Sequence, residues 1–294
     1  MTIGAGIPVL FAILVWFAST GALLWLVAAP RQTHRAVMLV LTVVMAGATA
    51  GVVLIGNEPS VAGAFIGFTL GVVIWAWHEA SFLFGFLTGP RRSDCPPGLS
   101  PWRRFLAASE TLIAHEVAIA LNAALLVALS WGAANQTAMA TFLLLWGMRL
   151  SAKANLFVGA PFLSDELMPA RLQYLKTYFG PKRLSVFFAA SMIAIVAVTA
   201  ALIITAARAT AGGYAAASLT LLATLAALAV LEHALMALPV KDAALWAWAR
   251  RRDAAKAPLI RKPNTRFSER CDAPARPSFA AADAGLTSPV VPTP

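Results

Sequence analysis

Apolar runs long enough to cross a bilayer recur along the chain at about 8–28, 34–56, 60–87, 105–131, 134–154, 183–207 and 215–238. Short polar breaks part them, at Pro30 to Thr33, at Gly56 to Ser60 and at Ala133 to Gln136. The pattern predicts an all-α polytopic membrane helix bundle of about seven transmembrane helices, filling residues 1–240. Residues 1–28 lack a basic n-region, and their apolar run is too long for a signal peptide, so an uncleaved first span is expected.

Charge orients the bundle. With the N-terminus periplasmic, the segments 29–35, 88–104, 149–183 and the chain from 240 onward fall on the cytoplasmic side. They hold every one of the 23 Lys and Arg except Arg208. Basic residues are retained on the cytoplasmic side during insertion, so the C-terminus is expected in the cytoplasm. Composition agrees with a membrane chain, since 12% of residues are charged, against about 25% in soluble domains. The net charge of +10 then reflects topology and contact with the anionic cytoplasmic leaflet of a bacterial inner (cytoplasmic or intracytoplasmic) membrane, not a nucleic-acid partner. Cys95 and Cys271 both fall on this reducing side, so no disulfide is expected.

Three cytoplasmic features stand out. Acids at Asp165 and Glu166, an early Pro169 and a Gly180-Pro181 stop predict a short helix over 164–180, near the membrane surface. Leu245, Trp246 and Trp248 beside Arg250, Arg251 and Arg252 predict an interfacial basic helix over 241–256. Residues 257–294 are rich in Pro, Ala and Arg without an apolar period, and are expected to be a disordered tail. Within the bundle, Gly47 and Gly51 in the second span and Gly63, Gly67 and Gly71 in the third form stripes at four-residue spacing. Such stripes let helix backbones approach closely in lipid, and they place the third span centrally.

Three of the four histidines lie inside spans, each beside a glutamate: His78-Glu79, His115-Glu116 and Glu232-His233. All three pairs fall toward the cytoplasmic ends of their helices, so they are expected to meet at one depth. Ionisable groups in hydrocarbon cost several kcal/mol unless paired or coordinated, which marks them as a candidate site. Adjacent residues project about 100° apart, so one member of each pair faces the site while the other orients it or pairs across helices. Thr111, His115 and Asn122 share a helix face, and Arg149, Lys153 and Asn155 lie at similar depth. Arg149 can neutralise a buried glutamate there, and Trp146 is among the aromatics near the cluster in sequence. His34 is expected to be a solvated loop residue, and Glu110 to reach the interface.

Three chemistries fit this cluster. One is an ion-paired network that fixes helix register. Another is a metal site for iron or zinc built from His78, His115, His233 and Glu116. The third is a tetrapyrrole or polyene pocket with a histidine ligating the ring metal. His78-Glu79-Ala80-Ser81-Phe82 is not His-Glu-x-x-His, and no pair has Glu-x-x-His spacing, which argues against zincin and ferritin-like centres. No inverted repeat or midplane helix break suggests a transporter.

Three blocks carry a family resemblance. They are Trp77-His78-Glu79-Ala80-Ser81-Phe82 running on to Arg91, then Thr111-Leu112-Ile113-Ala114-His115-Glu116, then Lys153-Ala154-Asn155-Leu156-Phe157-Val158-Gly159 with Asp165 to Pro169 and Leu172 to Lys176. Together they resemble the PuhE family of photosynthetic complex assembly proteins over about residues 5–250, and the basic tail departs from it. The resemblance implies a role in accumulating reaction-centre and core-antenna complexes and in bacteriochlorophyll homeostasis, with components of those complexes or pigment-synthesis enzymes as partners. It implies no enzymatic activity. The alternative reading is a membrane metalloenzyme acting on a lipophilic bacteriochlorophyll or carotenoid precursor.

Overall fold

The structure, a computed structural model, describes residue 4, residues 6–162 and 168–239, and residues 246 and 248. These residues form helices and no strands. In chain order they are α1 (Gly6–Val27), a 3₁₀ turn (Arg31–Thr33), α2 (His34–Leu54), α3 (Val61–Leu83), α4 (Pro101–Ser109) and α5 (Ile113–Leu129). Then follow α6 (Thr137–Val158), a 3₁₀ helix (Ala170–Tyr178), α7 (Val186–Arg208) and α8 (Tyr214–Ala237). Five of them are long and apolar enough to cross a membrane: α1, α2 with its leading turn, α3, α7 and α8. The count rises to six if α4 and α5 together make one bent span. The chain is a multi-pass helical membrane protein. Its outer helices turn bare apolar faces outward, with Leu39, Val40 and Val43 on α2 and Ile193 on α7 all exposed, as lipid-facing surfaces require.

α3 is the axis. Ser60 caps it by accepting from the Gly63 amide (3.0 Å), one of the donors that a helix start leaves unsatisfied. On one side, Ile74 and Trp75 pack with Ala48 and Val52 of α2, Ile119 and Leu126 of α5, and Phe142 of α6. On the other, Ala64, Phe68 and Val72 pack with Ala12 of α1 and with Leu221 and Leu225 of α8. The glycine stripe makes a third contact, against α6. A Cβ at Gly67 would stand 3.1 Å from Thr137 Cβ, and one at Gly71 would stand 2.7 Å from the Ala138 carbonyl oxygen. Asn135 secures the far end, donating to the Gly63 carbonyl (2.9 Å) and accepting from the Tyr214 hydroxyl (3.1 Å). That joins the segment leading into α6 to the starts of α3 and α8.

The apolar run 105–131 is not one straight helix. α4 and α5 meet at 63°. The break has a backbone cause: the Gly89 amide donates to the Thr111 carbonyl (2.8 Å) and the Arg91 amide to the Glu110 carbonyl (3.3 Å). Those carbonyls are taken by an outside strap instead of a continuing turn, and only glycine fits at 89, because a Cβ would collide with the Glu110 backbone. Glu110 leaves the bundle and pairs with Arg91 (2.7 Å). Thr111 therefore lies in the break, bonded to the Ala108 carbonyl (2.6 Å), and does not share the α5 face with His115 and Asn122.

The cytoplasmic-loop helix expected over 164–180 is a 3₁₀ helix over Ala170–Tyr178, and residues 163–167 lie outside the described residues. With three residues per turn, Leu172, Leu175 and Tyr178 stack on one buried side. Arg104 donates to the Tyr178 carbonyl (2.9 Å), and the Cys95 amide donates to Thr177 Oγ1 (2.8 Å). Burial pushes the Tyr178 phenol up to about 12, so it stays protonated and donates to the Ser93 carbonyl (3.1 Å).

His34 is not a solvated loop residue. It opens α2, is buried, and stacks on Phe84 with ring centroids 4.3 Å apart. Its Nε2 donates to the Ala29 carbonyl (3.0 Å), while Arg171 Nη1 approaches its Nδ1 at 3.2 Å. Of the interfacial helix expected over 241–256, only Trp246 and Trp248 are described. Trp246 is buried, stacked on Phe17 of α1 at 4.8 Å. The tail from 257 lies outside the described residues.

Candidate functional site

α6 is the hub of the polar cluster within the bundle. Its apolar face is broken by Arg149, Ser151, Lys153 and Asn155, and three of these meet the three histidine–glutamate pairs. Arg149 donates to Glu79 on α3 (3.1 Å). Lys153 donates to Glu116 on α5 (2.6 Å), and Trp146 Nε1 donates to the other Glu116 oxygen (3.2 Å). Ser151 bonds His233 Nε2 on α8 (3.0 Å), and His233 Nδ1 donates to the Ala229 carbonyl (2.9 Å). Glu232 points to α1, where Trp16 Nε1 donates to it (3.2 Å), and it remains within electrostatic reach of Arg149.

The glutamates thus carry compensating cations or donors, as buried carboxylates must. The histidines differ among themselves. His233 is bonded at both ring nitrogens. Asn122 donates through Nδ2 to His78 Nε2 (2.9 Å), and His78 Nδ1 is enclosed without a partner. His115 is 0% exposed, and among the described residues neither of its ring nitrogens has a partner. The Phe82 ring centroid lies 4.7 Å from that of the imidazole, and Lys153 Nζ sits over the same Phe82 ring, 5.7 Å from its centroid. An unpaired buried polar group costs about 1–3 kcal/mol, so His115 is the anomaly of the cluster.

The metal set His78, His115, His233 and Glu116 is not assembled. Among the described residues, no three or more His, Cys, Asp or Glu side chains are grouped to hold an ion. The reason is visible: α6 stands between α5 and α8, its cation holds Glu116, and its Ser151 holds His233. Sequence reading placed Arg149, Lys153, Asn122 and Trp146 near the pairs, but missed Ser151 and Trp16. Ser151 had a signal, the alternation of polar residues from Arg149 to Asn155 within an apolar run. Trp16 had none, because it lies mid-helix in an otherwise apolar span.

A family model described as "Protein of unknown function (DUF3623)" matches residues 2–257. An "Uncharacterized 30.4 kDa protein in puhA 5'region" of Rhodobacter capsulatus is 35% identical over 243 residues, 81% of this chain and 88% of that protein. No solved structure matches the chain.

Proposed function

The chain belongs to the DUF3623 family, and from that premise we propose that it is an inner-membrane factor supporting assembly of the photosynthetic reaction-centre and core-antenna complex and bacteriochlorophyll homeostasis. Two things support the reading: the resemblance to the PuhE family, and a relative named for its place in the puhA 5' region. The single structural observation that carries a working site is His115, enclosed at the meeting of α3, α5 and α6 with both nitrogens unpaired. Arg149 and Lys153 neutralise the surrounding glutamates and hold the three helices in register around it.

A bare iron or zinc ion needs three or four donors, whereas one imidazole is enough to ligate the central metal of a tetrapyrrole. His115 suits the second need better. It is fully enclosed, so α3 and α5 have to part locally before a macrocycle reaches it. When bound, such a ring supplies light absorption; the protein's residues hold it and neutralise charge beside it.

The test is His115→Gln, which keeps hydrogen-bonding capacity and removes a strong ligand. Membrane abundance of the variant is expected to match wild type, while near-infrared absorbance of the cells falls severalfold. Normal absorbance at normal abundance excludes His115 as the working group.

Seven spans with a periplasmic N-terminus complete the proposal, α6 being counted as a span because its Arg149 and Lys153 pair with the largely buried Glu79 and Glu116. Reporter fusions at Glu58, Gln136 and Gly212 are then expected to read periplasmic. Those at Ser93, Lys176 and the C-terminus are expected to read cytoplasmic, since all basic residues but Arg208 lie on that side. A periplasmic reading at Lys176 overturns the orientation.

A further inference from the structure

A second site lies at the end of the bundle where the basic residues gather. Three segments far apart in sequence converge there: the Arg31–Thr33 turn before α2, the chain leaving α3 after Leu83, and the 3₁₀ helix Ala170–Tyr178. They enclose a cleft of about 230 Å³, with Arg31, Arg92 and Arg171 among its walls, Thr88 and Tyr174 as further polar groups, and Phe84 as an apolar wall. Among the described residues no carboxylate lines it.

The cleft is built, not incidental. Gly85 turns the chain with φ at +75°, a conformation that glycine adopts at least cost. The Phe84 carbonyl is thereby presented to Arg171 Nη1, which donates to it at 2.6 Å. The same nitrogen lies 3.2 Å from His34 Nδ1, and His34 stacks on Phe84. Arg171 is therefore fixed from one side, while its Nε is enclosed and has no partner among the described residues. Burial, and then the charge of Arg31, hold the Arg171 guanidinium below its ordinary pKa range. Arginine keeps its proton regardless, so the cations gather here, and among the described residues no carboxylate of the cleft wall offsets them.

We infer that this cleft binds a phosphoryl anion, with the guanidinium groups of Arg31, Arg92 and Arg171 as its charge partners. Guanidinium forks match phosphate oxygens in pairs, and basic pockets at a cytoplasmic membrane face take lipid head groups. The volume is below the ~300–1,000 Å³ of pockets that enclose a whole drug-sized ligand. It suits a head group whose apolar chains stay outside, or a free phosphate. The site does not depend on the photosynthetic reading.

Arg171 also holds Phe84, so a variant there risks misfolding, and the test uses the exposed pair instead. Purified full-length protein and an Arg31→Gln/Arg92→Gln double variant are delipidated in neutral detergent. Each is titrated with phosphatidylglycerol, phosphatidylcholine or inorganic phosphate, read by native mass spectrometry for the lipids and by thermal shift for phosphate. Circular dichroism checks that both proteins are equally helical. Wild type is expected to bind phosphatidylglycerol in preference to phosphatidylcholine, and the double variant to bind it roughly thirtyfold more weakly, the loss for two arginines at an anionic surface. A thermal shift with inorganic phosphate that the variant loses supports the site with a free anion as its source. Equal binding of both lipids without a phosphate response, or binding that the double substitution leaves unchanged, overturns the inference.

Discussion

Glu116→Ala is expected to remove most of the folded protein from the membrane, while a paired change, Glu116→Leu with Lys153→Met, restores much of it. Lys153 meets Glu116 at 2.6 Å, and the two side chains are only 18% and 14% exposed. Removing one partner of a buried pair costs about 3–5 kcal/mol, because the other charge is left uncompensated. That is a large share of the ~5–15 kcal/mol by which a folded protein is stable. Among the described residues no second carboxylate bonds Lys153, and its ammonium lies over the Phe82 ring. Replacing both charges by apolar groups of similar shape removes the penalty along with the pair. The readout is membrane abundance by immunoblot, beside the thermal aggregation midpoint of solubilised protein, for wild type, Glu116→Leu, Lys153→Met and their double, with Glu116→Ala beside them. Strong positive coupling in that cycle is the expected result. Wild-type abundance for Glu116→Ala would show that the pair contributes little.

The elements that sequence reading placed well are those whose signal is local. α1, α2, α3, α7 and α8 each carry their own unbroken apolar run, and the Gly63, Gly67 and Gly71 stripe marked α3 as the helix that others approach. The α4–α5 break escaped notice because hydropathy sums over Pro101–Leu129 without seeing where carbonyls are bonded. The carbonyls of Glu110 and Thr111 are claimed by Arg91 and Gly89, from a loop that precedes the helix. His34 was misplaced for a similar reason. Its burial depends on Arg171, separated from it by 137 positions, and no local pattern encodes that contact.

In the candidate site, charge was legible and partnership was not. A buried glutamate demands a cation, and Arg149 and Lys153 were the cations at the right depth, so that inference needed only the topology. Which imidazole would be left over was invisible. His233 is satisfied by Ser151 and the Ala229 carbonyl, while Asn122 bonds only one nitrogen of His78; Ser and Asn are short polar side chains that serve helix packing in many membrane proteins. His115 differs only in what surrounds it, and nothing in Thr111-Leu112-Ile113-Ala114-His115-Glu116 announces that.

The α3–α6 seam offers the other large effect, because it fixes the helix that supplies the cations. A Cβ at Gly71 would stand 2.7 Å from the Ala138 carbonyl oxygen and 2.8 Å from Thr141 Cβ. Real Cβ atoms do not approach so closely, and both neighbours belong to α6 at or beside its backbone, so α6 itself has to move. Gly71→Ala is expected to lower the thermal midpoint of the solubilised protein by several degrees. Gly71→Val is expected to lower it further, in the range where overpacking costs about 1–3 kcal/mol or more. The displacement also reaches the cluster, since Glu79 stands about 12 Å farther along α3 at 1.5 Å per residue and meets Arg149 on the same neighbour. Gly47→Ala supplies the control. It belongs to the other stripe, but a Cβ there meets nothing within 4 Å, and alanine is the better helix former by about 1 kcal/mol. The expected order of stability is Gly47→Ala at or above wild type, then Gly71→Ala, then Gly71→Val. A Gly71→Val protein as stable as wild type would mean that α3 and α6 do not touch along the stripe, and the placement of Arg149 and Lys153 against the glutamates would lose its footing.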